Sequence, residues 1–181
     1  RLLIPSPYLA SKISADHLYL SYYLSFKLPI HIVRPFNAVG PRQSTRSIIP
    51  TIISQLIQNK KSVKLGNVNT KRDYTYVKDV CSAFLEISKS KNLFGEVTNV
   101  STNQNNSIEQ ILNVISKLMK VSPKIIKDKK RVRPRNSEVI ELIGDNLKLK
   151  NNTDWKNNYS FEKGLKETIN WFKKNKHKYN I

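Results

Sequence analysis

The chain has 181 residues, with 32 Lys and Arg against 13 Asp and Glu, for a formal net charge of +19. Hydrophobic residues make up 39%, ordinary for a globular domain, and neither a bilayer-spanning apolar run nor a signal-peptide pattern occurs. Cys81 is the only cysteine, which excludes an intramolecular disulfide; a cytoplasmic protein with no membrane partner is the expectation.

Ser6 and Pro7 open the first predicted helix, over residues 8–26: the serine caps it, and the proline sits where a missing N–H is harmless. After Pro29, residues 30–34 are short, apolar and partly β-branched, and predict a strand. Residues 35–46, with Gly40-Pro41, predict a loop, and 48–59 a helix. Short strands are expected at 63–65 and 73–76, a helix at 80–88 and a buried strand at 97–100. Ser107 and Gln110 form a capping box for a helix ending near Lys120. Residues 127–137 predict a basic loop. Ser160 caps the last helix, where Phe161, Leu165, Ile169 and Phe172 share a face. This alternation of helix and strand gives an α/β fold with no internal repeat or linker.

The positive charge invites a nucleic-acid reading. The basic residues are spread along the chain, however, densest at 127–135 and 173–178, with no recognised RNA-binding motif. No nucleic-acid partner is expected, and an anionic substrate fits the charge as well. His17, His31 and His177 have no metal-ligand spacing, so no metal is expected.

Tyr8 and Lys12 are the candidate catalytic pair. A phenol with an ordinary pKa of roughly 10 is a poor base at neutral pH. A lysine one helical turn on shares its face and favours the phenolate. The same spacing occurs at Tyr23/Lys27, Tyr74/Lys78 and Tyr159/Lys163, so spacing alone does not choose among them. The alternative for each is a core aromatic beside a solvated lysine.

Context singles out Tyr8. The run from Pro5 to Lys12 is followed by Arg34-Pro-Phe-Asn37 and by Gly40-Pro41-Arg42. Gly66 then precedes Arg72-Asp73 with Val77 and Asp79, and Arg131-Val-Arg-Pro134 with Asp145, Trp155 and Gly164 completes the order. This succession resembles the C-terminal part of the extended short-chain dehydrogenase/reductase family, the NAD-dependent epimerases and dehydratases. The Tyr8 and Asn37 segments most resemble its UDP- or GDP-N-acetylglucosamine 4,6-dehydratases.

The resemblance implies the C-terminal portion of a doubly wound Rossmann-type parallel sheet with a smaller α/β substrate lobe, the lobe mainly over 44–76 and 101–160. Tyr8 is then the general base, and Lys12 also holds the nicotinamide ribose, with Pro35 beside the cofactor, NAD in preference to NADP. The resemblance gives Asn37, Arg72 and Arg133 to the diphosphate of a nucleotide-sugar substrate, and Val63 and Leu65 to its base. A guanidinium fork suits phosphate oxygens. The alternatives are a turn-forming asparagine, a solvated loop arginine and an edge strand.

No glycine-rich dinucleotide turn occurs, and the family's further acid/base residues lie upstream of its tyrosine. With Arg1 first and Met119 the only methionine, the expectation is that the N-terminal nucleotide-binding half is absent here. The expected reaction is oxidation at C4, loss of water and hydride return to C6. A 4-epimerase and an inactive truncated remnant are the alternatives. Leu18, Tyr19, Leu20, Tyr22, Tyr23, Leu24 and Phe26 are more apolar residues than one helix face needs. They fit a homodimer seam, as the family implies, or a helix buried on both sides within one chain.

Overall fold

The computed structural model describes residues 6–131 and 138–179. The first helix, α1 (Pro7–Phe26), starts where Ser6 Oγ accepts the Leu9 N–H at 3.2 Å, with Pro7 in the first turn. It stops at Lys27, a left-handed residue with φ of 54° whose N–H reaches the Tyr23 carbonyl. None of its side chains is buried.

Strand β1 (Ile32–Pro35) pairs in parallel with β6 (Val97–Val100), and β2 (Asn37–Val39) in parallel with β5 (Tyr74–Tyr76). Strand β3 (Ser62–Leu65) pairs in parallel with β8 (Lys124–Lys127). The two-residue β4 (Lys71–Arg72) lies between β7 (Asn106–Ser107), antiparallel, and β9 (Glu141–Leu142), parallel. Parallel pairs need crossovers, and helices supply them. These are α2 (Ile48–Gln58), α3 (Val77–Lys89) and α4 (Ile108–Met119); α5 (Leu147–Asn152) and α6 (Phe161–Lys174) follow the last strand.

The capping box at α4 forms with both bonds: Gln110 N–H to Ser107 Oγ at 3.1 Å and Ser107 N–H to Gln110 Oε1 at 2.7 Å. Ser160 caps α6 with a single bond, its Oγ accepting from the Lys163 N–H at 3.2 Å. The main core gathers Ile49, Ile52, Ile53 and Leu56 of α2, Ile111 and Ile115 of α4, and Leu165, Ile169 and Phe172 of α6. A second cluster joins Val80, Ala83 and Ile87 of α3 to Val100, Leu149 and Trp155. Buried to 8% exposure or less, each large side chain named in these clusters contributes about 1.5–3 kcal/mol of burial. Gly164 lets α6 approach closely: a Cβ there would lie 2.8 Å from the Tyr76 ring.

Several elements differ from the sequence expectation. β1 starts two residues later than expected and ends one later, and β2 falls in the expected loop 35–46. Helix α3 begins at Val77, three residues early. Strand β8 and helix α5 were not expected. No described helix is long and apolar enough to cross a membrane.

Candidate active site

A cleft of about 650 Å³ opens beside β2, β4 and the start of α2. That volume suits a ligand the size of a nucleotide sugar. Asn37, Arg46, Arg72, Arg131 and Glu138 supply its charged and amide groups, and Gly66 and Asn67 part of its wall. Among the described residues, three arginines and one glutamate line it, a balance that favours an anion.

Asn37 enters through β2. Its backbone N–H and its Nδ2 both donate to the Asp73 carbonyl, each at 3.2 Å. Arg72 enters through β4. It donates from Nη1 to the Lys71 carbonyl at 2.7 Å and to that of Ile140 at 3.5 Å, and from Nη2 to that of Val139 at 2.6 Å. A guanidinium has five N–H donors, so Nε–H and one Nη2–H have no partner among the described residues. Arg131 Nε donates to Asp128 Oδ2 at 3.2 Å, and Glu138 accepts from Asn67 Nδ2 at 2.9 Å. Arg133 lies outside the described residues.

Val63 and Leu65 are at 0% exposure in the main core. Alternation along β3 turns both side chains inward. Gly66 and Asn67, immediately after the strand, line the cleft instead. Gly66 has no Cβ to collide with the Arg131 carbonyl that abuts it.

Tyr8 stands in the first turn of α1 at 67% exposure, and Lys12 Nζ lies 5.5 Å from its ring centroid. Arg34 anchors this helix to the end of β1 through Asp16, with Nε and Nη2 at 2.7 and 2.6 Å from Oδ2. Pro35, the next residue, is exposed. Tyr8, Lys12 and Pro35 are all exposed. Among the described residues no helix begins on a glycine-rich turn.

The other Tyr/Lys pairs are engaged structurally. The Tyr23 ring packs directly on Gly95. Tyr74 is 7% exposed, and burial pushes its phenol up to about 12 against the opposing charge of Arg72. Tyr159 lies against Tyr76 with ring centroids 4.5 Å apart, accepts from Lys78 Nζ at 3.2 Å, and has Lys163 Nζ 4.4 Å from its ring centroid. Of the histidines, His31 makes a 3.2 Å contact through Nδ1 with the Leu93 carbonyl. No group of three or more metal-ligating side chains occurs among the described residues.

The structure adds Gln43, Arg46, Arg131 and Glu138 to the cleft, none of which the sequence reading named as a site residue. Arg46 and Arg131 carried only a weak signal, being two of 32 basic residues in the chain.

A family profile described as GDP-mannose 4,6 dehydratase matches residues 4–168. A dTDP-D-glucose 4,6-dehydratase of Mus musculus is 30% identical over 177 residues, covering 95% of this chain and 49% of the relative. Among solved structures, a dTDP-glucose 4,6-dehydratase from Bacillus anthracis in complex with NAD superposes with a TM-score of 0.84 at 30% identity. It covers 98% of this chain and 55% of its own. A UDP-glucuronic acid 4-epimerase from Bacillus cereus, in complex with UDP-glucuronic acid and NAD, superposes at 0.83 with 26% identity, covering 96% and 55%. The chain spans about half the length of the curated relatives it matches.

Proposed function

The chain belongs to the GDP-mannose 4,6 dehydratase family, with its Rossmann-type α/β fold, and from that premise we propose that the whole protein acts as a nucleotide-sugar 4,6-dehydratase. The observation that carries the reading is the cleft in which Asn37, Arg46, Arg72 and Arg131 converge. Its charge and size match a sugar joined to a nucleoside diphosphate.

Each residue then has a task. Arg72 takes diphosphate oxygens with its remaining N–H donors, and Asn37 and Arg133 add to the same grip. Gly66 and Asn67 form the wall for the base, with Val63 and Leu65 supporting them from the core. The lobe over 44–76 and 101–160 brings these groups together, which the pairing of β3 with β8 and of β4 with β7 and β9 supports. Tyr8 removes the proton from the C4 hydroxyl, and the ammonium of Lys12 favours the phenolate that does so. Lys12 also holds the nicotinamide ribose, beside Pro35. A nicotinamide cofactor, when bound, accepts a hydride and returns it; the Bacillus neighbours solved with NAD support that form over NADP. Oxidation at C4 acidifies the neighbouring C5–H, so water can leave across C5 and C6.

The sugar is the finer part of the proposal. The relatives' names support a dTDP- or UDP-linked glucose, while the N-acetylglucosamine reading rests on the Tyr8 and Asn37 segments alone. The likeness to the UDP-glucuronic acid 4-epimerase favours a second reading, in which the hydride returns to C4 from the other side. A homodimer through α1 and a cytoplasmic location complete the proposal. The first is supported by the exposed Leu18, Tyr19, Tyr22, Leu24 and Phe26, the second by the single cysteine.

Mass spectrometry on the whole protein, given NAD and dTDP-glucose, UDP-glucose or UDP-N-acetylglucosamine in turn, tests this. The expected product is lighter by one water, with no net NADH. Unchanged mass with an inverted C4 assigns the epimerase, stoichiometric NADH a dehydrogenase, and no consumption of any substrate an inert remnant.

A further inference from the structure

Asp73 follows Arg72 directly, yet its side chain is at 0% exposure and lines no part of the cleft. Its Oδ1 accepts from the Thr102 N–H at 2.9 Å and from Thr102 Oγ1 at 2.8 Å, and its Oδ2 from the Gly144 N–H at 3.4 Å. Its own N–H donates to the Leu142 carbonyl at 3.0 Å. Its carbonyl receives both donors of Asn37, at 3.2 Å each. Every polar group of one residue is thus used, and four segments meet on it: β2, the start of the β6–β7 loop, the end of β9 and the turn at Gly144.

The carboxylate meets no described cation; its partners are two backbone N–H groups and a hydroxyl. A buried anion without a counter-charge is unfavourable unless hydrogen bonds to the charged form hold it. Such an acceptor-only group takes N–H donors at both oxygens, whereas an amide in its place would set N–H against N–H at one of them. The arrangement fixes the Asp73 backbone, and that backbone carbonyl is the hydrogen-bond partner of the Asn37 side chain. Arg72 on the cleft side and Asp73 on the core side therefore form one unit: the first for the ligand, the second for the residue across the sheet.

We propose that Asp73 is a positioning residue of the cleft, setting the orientation of Asn37 through its own carbonyl and the Thr102 clamp on its carboxylate. This rests on the nucleotide-sugar reading of the cleft. It goes beyond fold stability, because it couples a buried carboxylate to ligand affinity through one named side chain.

The test uses the whole protein with dTDP-glucose and NAD. Asp73→Asn and Asn37→Ala should each raise KM by about tenfold and change kcat by less than about threefold, the effect of a buried donor left unpaired and of lost uniform binding. The double variant should be no worse than the single ones, since neighbours that act as a unit are non-additive. Thr102→Val should reproduce part of the rise in KM, and Thr102→Ser should restore the wild-type value. The side-chain amide NMR signals of Asn37, which need no ligand, should shift in Thr102→Val and not in Thr102→Ser. Additive effects, or a lowered melting temperature with KM unchanged, would overturn the proposal. Should Asp73→Asn not fold, an unchanged KM in Thr102→Val overturns it equally. Should the wild-type protein consume no nucleotide sugar, the dehydratase reading fails, and the Asn37 amide signals alone decide whether Thr102 and Asp73 position that side chain.

Discussion

Tyr76 donates a 2.6 Å hydrogen bond to Glu167, joining the last residue of β5 to the middle of α6. Lys78 Nζ, 3.4 Å from the same carboxylate, adds an ion pair. The Tyr76 phenol holds the Glu167 carboxyl below its ordinary value of 4.5, helped by Lys78 and opposed by burial. Burial, and then the Glu167 bond, push the Tyr76 phenol well above its ordinary value of 10.0.

The sign of the resulting pH dependence follows from linkage. A carboxyl depressed in the folded state contributes stability above its unfolded pKa, and loses it as pH falls through the lower folded value. Asp79 acts in the opposite sense: burial raises its carboxyl, so acid favours its folded form. Comparing wild type with Glu167→Gln cancels the Asp79 effect. The stability gap between the two should be constant from pH 7 to 5 and close below about 4.5, as urea unfolding at each pH would show. Tyr76→Phe at pH 7 should lower stability by about 1 kcal/mol. A gap that persists at pH 3 would mean the contact contributes through packing and not through charge.

Tyr8→Phe in the whole protein should reduce kcat by about 10²–10⁴-fold with substrate affinity near normal, because it removes the base and little of the shape. Tyr74→Phe and Tyr23→Phe should retain turnover. Steady-state kinetics on the three variants decides it, and loss of turnover in either control would assign the base elsewhere.

Arg72→Ala should weaken nucleotide-sugar binding and also release the carbonyls of Val139 and Ile140 that the guanidinium holds. Arg72→Lys should rescue little, since an ammonium cannot span those carbonyls and a phosphate together. Calorimetry with dTDP reads the first effect, and proteolysis near residue 139 the second. Full rescue by lysine would show that only the charge matters.

Leu18→Glu with Phe26→Glu should convert a dimer of the whole protein to monomer in light scattering, because both side chains are more than half exposed, at 56% and 68%. An unchanged mass would place the dimer seam, or the cover of α1, elsewhere.

The helices were the legible part of this fold. Ser6, Ser107 and Ser160 each announced a helix start by a local rule, and each caps as expected. The strands were harder because their pairing is non-local. β2 exists through Tyr74–Tyr76, more than thirty residues on in sequence, and its own three residues read as loop. β8 is Lys-Ile-Ile-Lys with all four residues exposed, a pattern that gives no inward face to detect. In the site, sequence context alone separated Tyr8 from three equally spaced pairs; burial of Tyr74 and the seat of Tyr23 on Gly95 are tertiary facts that spacing does not encode. Asp73 was invisible as a hub, since nothing in Arg72-Asp73 reveals Thr102 or Gly144.

The abutment of Gly66 on the Arg131 carbonyl means that this wall of the cleft is main chain against main chain. Side-chain repacking cannot adjust a boundary of that kind: any residue with a Cβ at position 66 must displace the carbonyl, and Arg131 with it. The distance across the cleft at that point is inherited with the fold. Divergence in what the cleft accepts must therefore fall on the groups that project from the remaining walls, Gln43, Arg46 and Glu138 among them.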